Sequence, residues 1–358
     1  MKQLMTAYFL DDALTLTKRE IPFPDIPDGW VLIKVHSVGI CGSDIEYYLH
    51  NQCGSFIPRR PFVLGHEFSG EIVQVGKGAR GAQIGARVTV DPSIPCRRCR
   101  YCVTGRYNLC SDLRVIGSAA SYPHLNGGFE QYAVVPVENC YEFSEDLSFA
   151  EAALTEPLSV AVHAALRPRT VAGKNILITG AGTIGQLLNL VLRHFGAGQI
   201  TVSDVKASRR RLALSNGANY GIDPRNEAVD DFLSQITDDG FDLIFESSGA
   251  ASALNDGLRM IRRGGTIVQI GTLPEQVTLP VNQVMAKELM ILGSLRAANV
   301  FDIALSLLQK QQINARSIIS DVYSFDQVPE AFAKAAERGD SLKIQVAVQG
   351  NDSSDEIP

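Results

Sequence analysis

The feature that most constrains this chain is a glycine-spaced turn, Gly180-Ala181-Gly182-Thr183-Ile184-Gly185, between the apolar run Asn175-Ile176-Leu177-Ile178 and a longer apolar stretch over 184–195. The short branched run reads as a strand and the longer stretch as a helix, so the glycines fall at a strand-to-helix turn. In that setting Gly180 permits the tight turn, Gly182 lets backbone approach a pyrophosphate, and Gly185 lets the helix pack close to the sheet. The helix N-terminus adds amide donors and the positive end of its dipole, both suited to phosphate. Further branched runs at 200–202, 243–245 and 266–270 alternate with helix-length segments. This alternation predicts an α/β unit, a doubly wound parallel sheet with helices on both faces.

Asp204 ends the second predicted strand, 19 residues past Gly185. A carboxylate there accepts both ribose hydroxyls and repels a 2′-phosphate, which favours NAD over NADP. Arg209, Arg210 and Arg211 follow. A guanidinium near the ribose accommodates the extra phosphate, so NADP stays open, while Arg210 and Arg211 read as a solvated helix start.

The first half of the chain has a different texture. Short branched runs at 31–35, 71–75 and 87–90 are cut by glycine and proline, which predicts a β-rich region. Near 296 the strand–helix alternation ends, and a helical segment at 301–309 and a strand at 343–348 follow. The polar tail is expected to be disordered. A chain of 358 residues, 45% apolar and 20% charged, can bury a core in each of two domains. Its 33 basic and 39 acidic residues give a net charge of −6, with no global positive field for nucleic acid or anionic lipid. The N-terminal residues lack the apolar run of a signal peptide, and no stretch approaches the ~18 apolar residues of a membrane span. A cytoplasmic location is expected.

Two sets of residues have the chemistry of metal ligands. Cys96-x2-Cys99-x2-Cys102-x7-Cys110 places four thiolates within 15 residues. Four soft ligands close a tetrahedral zinc site with no position left for substrate, so this set predicts structural zinc. Arg97, Arg98, Arg100 and Arg106 would help offset the charge of a zinc tetrathiolate. A nucleic-acid-binding zinc ribbon and a disulfide pair are the competing readings, disfavoured by the net charge and the missing export signal. The second set is dispersed: Cys41, His66 with Glu67, and Glu156. One thiolate, one imidazole and one carboxylate leave a fourth position on zinc for water or an alcohol. Taken singly, each has a plainer reading as a buried thiol, a satisfied imidazole or a turn residue.

Together with their contexts, these residues resemble the zinc-dependent medium-chain alcohol and polyol dehydrogenases. Gly65-His66-Glu67-x2-Gly70-x5-Gly76, the four-cysteine lobe and the Gly180 turn occur in that family's order and spacing over nearly the whole chain. The resemblance implies a Rossmann nucleotide domain at 157–295 inserted in a β-rich, partly barrel-like, GroES-like catalytic domain. That catalytic domain would comprise residues 1–156, with the structural zinc lobe at 92–112, and 296–350, leaving 351–358 as the tail. It implies two zinc ions per chain, the catalytic one on Cys41, His66 and Glu156, with Glu67 as a further ligand or a neighbour one water away. Ser43 matches the hydroxyl that passes the substrate proton outward, and Asp44 a carboxylate that orients the ligand histidine. Ile184, Asp204, Arg209, Gly271 to Leu273 and Ser294 to Arg296 align with cofactor contacts. Glu46 stands where many relatives carry a relay histidine, so the proton would leave through Ser43, Glu46, the cofactor ribose or water.

Within that family, Cys41-Gly42-Ser43-Asp44, Tyr47 and the segment 114–129 resemble the branch acting on sugar acids and polyols. The implied reaction is NAD-dependent oxidation of a secondary alcohol on a sugar acid, L-idonate to 5-keto-D-gluconate, with sorbitol or xylitol as the alternative substrate. L-Threonine oxidation ranks below these, because Ser43 replaces the threonine expected there. A non-catalytic NAD- and zinc-binding derivative would be expected to have lost ligands that this chain keeps. An aldonate also needs a cation for its carboxylate; Arg114 and Arg296 are the candidates, with His124 a lesser one. The resemblance further implies a homo-dimer or tetramer pairing through an edge strand at 288–292. Cys53 and Cys140 have no role in this scheme.

Overall fold

A computed structural model describes residues 4–226 and 229–349, and the tail predicted at 351–358 lies outside them. The chain divides into two compact units. One runs up to Glu156 and resumes at Phe301–Gln311 and from Ala315 onward; the other is Pro157–Val300 with Gln312–Asn314.

The first unit is built around the strand Trp30–Gly39, whose apolar positions Val31, Ile33, Val35 and Val38 are fully buried. It lies inside a seven-stranded sheet ordered Cys140–Glu142, Arg87–Val90, Glu67–Val75, Trp30–Gly39, Lys343–Ala347 and Ile319–Ser324, with Tyr132–Pro136 also paired to the central strand. Neighbours are antiparallel except the last pair, which is parallel. The register sets Gly39 opposite Glu67 on one side and opposite Gln345 on the other. Glu67 and Lys343 are thereby brought to the same end of the central strand. The chain then turns into the helix Gly42–His50, with Cys41 as its N-cap residue.

The second unit holds a six-stranded parallel sheet, ordered Tyr220–Ile222, Gln199–Ser203, Asn175–Thr179, Phe241–Glu246, Ile261–Gln269 and Met290–Gly293. In chain order this is 3-2-1-4-5-6, the doubly wound dinucleotide-binding arrangement. Strands are added outward from the first in both directions, so right-handed crossovers place helices on opposite faces. The glycine turn leads into the helix Thr183–His194, whose Leu187, Leu188, Val191 and Leu192 are buried. No helix among the described residues is long and apolar enough to cross a membrane.

Candidate active site and metal centres

The end of the central strand concentrates ionisable groups. One ligand atom from each of Cys41, His66 and Glu67 lies within 4.8 Å of the others. Cys41 occupies a helix N-terminus, where the dipole favours an anion. Its backbone N–H donates to Asp44 Oδ2 at 2.9 Å, and Asp44 Oδ1 stands 3.6 Å from His66 Nδ1. Asp44 therefore braces the start of the helix and the imidazole together, leaving the other ring nitrogen for a ligand. Glu67 Oε2 accepts a hydrogen bond from Lys343 Nζ at 2.5 Å, and both side chains are 2% exposed. Lys343 also donates to Ile40 O at 3.0 Å. A Cβ on Gly39 would meet Glu67 Oε2 at 2.4 Å, so the carboxylate fits only because residue 39 is glycine.

This cluster fits a cation. Burial opposes charge on His66, but Asp44 and the Cys41 sulfur outweigh it and hold the imidazole well above its usual pKa. Burial likewise opposes charge on Lys343, and Glu67 and Cys41 push it back up. The upward shift of both buried bases marks a surplus of negative charge in the cluster, which fits a bound cation such as zinc. The half-buried Glu156 is raised to about 7 by burial, opposed by His66 and reinforced by Glu67, which places it within electrostatic reach of the cluster. The converging trio is thus Cys41, His66 and Glu67, with Glu156 beside it.

The four-cysteine lobe is compact. Sulfur–sulfur separations are 4.0 Å for Cys96–Cys102, 3.5 Å for Cys99–Cys102 and 3.9 Å for Cys99–Cys110. Zn–S bonds of about 2.3 Å give a tetrahedron with edges of about 3.8 Å, whereas a disulfide needs about 2.05 Å. All seven cysteines are free thiols. The backbone N–H groups of Cys96 and Asp112 point at Cys110 Sγ, at 3.3 and 3.4 Å, as thiolate ligation requires. Among the neighbouring arginines, Arg97 pairs with Glu138.

In the second unit, Gly180 has φ +87°, and a Cβ on Gly185 would sit 1.9 Å from Gly180 O. At Gly182 a Cβ meets nothing within 4 Å, so the backbone there borders open space. Asp204 accepts from Ala181 N and Lys206 N, both at 2.8 Å, which ties the second strand's end to the glycine turn. Arg209 lies 3.9 Å from the Asp204 carboxylate. Arg210 is structural rather than solvated, bonded to Asp204 O and paired with Asp223. Ile184 lies in the first helical turn, Gly271 N donates to Glu246 O, and Leu273 packs on the unit's core. Ser294 N donates to Gln269 O, and Arg296 has a left-handed backbone, φ +49°.

Several expected substrate contacts are already engaged. Tyr47 is buried, its hydroxyl 3.2 Å from Ser118 Oγ. Arg114 lies on the short strand Arg114–Val115, paired with Ser93–Ile94. His124 accepts from Arg59 N at Nε2, 3.0 Å, and its Nδ1 is 2.8 Å from Ser121 O, so both ring nitrogens are spent within the protein. Glu46 is a salt-bridging surface group, joined to Arg338 and 4.0 Å from His50. Cys140 donates to Pro136 O and burial pushes its thiol up to about 12; burial, with the Cys41 charge, pushes Cys53 up to about 11.

Sequence reasoning overlooked Lys343 and Glu246. Lys343 stood out only as an ammonium opening an otherwise apolar-rich strand. Glu246 is fully buried and accepts from Ser248 N at 2.8 Å, Gly249 N at 3.0 Å and Gln269 Nε2 at 2.5 Å, joining two loops next to the glycine turn.

A β-rich unit with a closed cysteine site and an open Cys–His–Glu cluster, joined in one chain to a dinucleotide fold, defines a zinc-dependent oxidoreductase. Residues 27–145 match the alcohol dehydrogenase GroES-like domain and residues 183–310 the zinc-binding dehydrogenase domain. The chain is 35% identical to sorbitol dehydrogenase of Bacillus subtilis, over 96% of this chain and 97% of that one. Among solved structures, L-idonate 5-dehydrogenase of Escherichia coli superposes with a TM-score of 0.90 at 31% identity, over 97% of this chain and 99% of that one. A Sinorhizobium meliloti protein solved with NADP bound superposes with a TM-score of 0.88 at 32% identity, over 97% of this chain and 100% of that one. The chain belongs to the zinc-dependent medium-chain alcohol and polyol dehydrogenases.

Proposed function

We propose that this protein oxidises a secondary alcohol of a sugar acid with NAD, L-idonate to 5-keto-D-gluconate. The observation that carries the chemistry is the convergence of Cys41, His66 and Glu67 beside Glu156. Cys96, Cys99, Cys102 and Cys110 hold a second, structural zinc. The reading of the substrate rests on the 114–129 segment and on the similarity to L-idonate 5-dehydrogenase. Similarity to sorbitol dehydrogenase favours the neutral polyols sorbitol and xylitol as the second reading.

Bound zinc supplies Lewis acidity that makes the substrate hydroxyl more acidic, and the nicotinamide supplies a hydride acceptor. Cys41, His66 and a carboxylate from Glu67 or Glu156 bind the metal, and Asp44 fixes the imidazole. Lys343 holds Glu67 in place. Ser43, on the first turn of the Gly42–His50 helix, takes the hydroxyl proton and hands it to water, since Glu46 is committed to Arg338 and His50. Asp204 accepts the ribose hydroxyls and disfavours a 2′-phosphate, with Arg209 beside it. Chains pair into a homo-oligomer through the edge strand Met290–Gly293, where Met290 and Ile291 are exposed.

The test is NADH formation from L-idonate, D-gluconate, sorbitol and xylitol, each with NAD and NADP. L-Idonate with NAD is expected to lead by more than about tenfold in kcat/KM, roughly 1.4 kcal/mol of transition-state discrimination. Faster turnover of the polyols refutes the sugar-acid reading and leaves the dehydrogenase chemistry intact. Cys41→Ser is expected to abolish turnover.

A further inference from the structure

A hollow with an arginine and a histidine in an otherwise largely apolar lining lies in the catalytic unit. A cavity of about 410 Å³ is lined by Ser55, Phe56, Arg59, Ser121, Tyr122 and His124 among others, with no acidic residue in its wall. Both sides of it lead back to the metal cluster. Phe56 and Cys53 exchange backbone hydrogen bonds of 2.9 and 3.0 Å, and Cys53 feels the charges of Cys41 and His66. On the other side, Ala119 to Ser121 follow Ser118, whose hydroxyl meets Tyr47. Tyr47 is four residues after Ser43 on the same helix, and so on the same face.

The cavity has an unbalanced positive charge. Arg59 is exposed, with its guanidinium 5.1 Å from the centre of the Tyr122 ring, and among the described residues neither Arg59 nor Arg60 pairs with a carboxylate. Both arginine charges reach His124, where, after burial, they add to the depression of its pKa. His124 accepts the Arg59 N–H at Nε2 and so clamps the Arg59 backbone. Its partner in the clamp, Ser121, has a buried hydroxyl with no hydrogen-bond partner.

We propose that this cavity binds the carboxylate of the sugar-acid substrate, with Arg59 as the charge partner and the Ser121 hydroxyl as a donor. The inference rests on the sugar-acid reading above, and transfers the carboxylate-binding role from Arg114 and Arg296 to Arg59. A sugar acid oxidised near one end presents its carboxylate at the other, and the 55–59 wall of the cavity follows in the chain the helix Gly42–His50, which carries Ser43 and is capped by Cys41. Guanidinium–carboxylate hydrogen bonds are among the stronger polar contacts, and a neutral polyol cannot form them.

The test uses the zinc-loaded full chain and Arg59→Gln, Arg59→Lys and Ser121→Ala. Two quantities are read: the kcat/KM ratio of L-idonate to sorbitol or xylitol, and the affinity for D-gluconate by titration calorimetry without turnover. Arg59→Gln is expected to lower the ratio and the gluconate affinity at least tenfold. Arg59→Lys recovers part of both, and Ser121→Ala loses severalfold. An unchanged ratio and affinity in Arg59→Gln overturns the proposal, even where L-idonate is the best wild-type substrate. Polyol preference in the wild type with gluconate affinity that depends on Arg59 refutes the substrate reading alone and leaves the anion site standing. A sugar phosphate used better than L-idonate overturns the carboxylate assignment.

Discussion

Replacing Lys343 by methionine tests how the metal cluster is held together. Lys343 and Glu67 are each 2% exposed, and the ammonium bonds to Glu67 and to Ile40 O. Methionine preserves the apolar stem and removes the charge, which strands the Glu67 carboxylate in a buried site. Breaking one partner of a buried pair costs about 3–5 kcal/mol. At about 2–4 °C per kcal/mol for a domain of this size, the thermal midpoint should fall by roughly 6–20 °C. A bound zinc ion supplies a nearby positive charge, so the fall should be smaller with zinc present than after its removal by a chelator. Glu67→Gln in the Lys343→Met background removes the stranded charge and should restore part of the loss. The assay is thermal unfolding by circular dichroism for wild type, both single variants and the double variant, with and without metal. Midpoints within 2 °C of wild type in both metal states would refute the argument, as would a double variant as unstable as the sum of its parts.

Three further outcomes follow from the geometry. Metal analysis should find two zinc ions per chain, one after Cys41→Ser, and one after Cys110→Ser with a lobe newly open to protease. Asp204→Asn should reduce the NAD-to-NADP ratio of kcat/KM by about tenfold or more, because a charged hydrogen-bond acceptor contributes about 1.5–3 kcal/mol. Burial, with Arg60 and Arg59, lowers the His124 pKa despite the Ser121 carbonyl. The clamp's stability should be fully present above the unfolded value of about 6.5 and lost as pH falls through the lower folded value. Thermal midpoints between about pH 5 and 7.5 should show an acid-side decline in wild type that His124→Gln lacks, and parallel curves would rule out this linkage.

Much of the fold was readable in the chain because its signals are local. The runs at 175–178, 200–202 and 243–245 fall inside strands of the parallel sheet, the run at 266–270 overruns the strand Ile261–Gln269 by one residue, and the segment at 301–309 is the helix Phe301–Gln309. Branched side chains and glycine turns act over a few residues, so their pattern survives without knowledge of the partners. Short edge strands carry less signal: Tyr220–Ile222 passed unseen. The four-cysteine lobe was legible for the same reason as the long strands, since all its ligands lie within one short segment.

The sequence by itself determined the α/β class, the dinucleotide turn, the cysteine lobe and the types of donor at Cys41, His66, Glu67 and Glu156. Only tertiary structure decided which donors converge. Lys343 reaches Glu67 across 276 positions because strand register sets Glu67 opposite Gly39 on one side and Gln345, two residues along the strand from Lys343, opposite it on the other. Two hydrogen bonds with loop backbone occupy both ring nitrogens of His124, and Arg59, one of those partners, lines the same cavity. Pairing register and loop closure join residues far apart in the chain, and their energies belong to the pair, so neither residue type nor spacing encodes them alone.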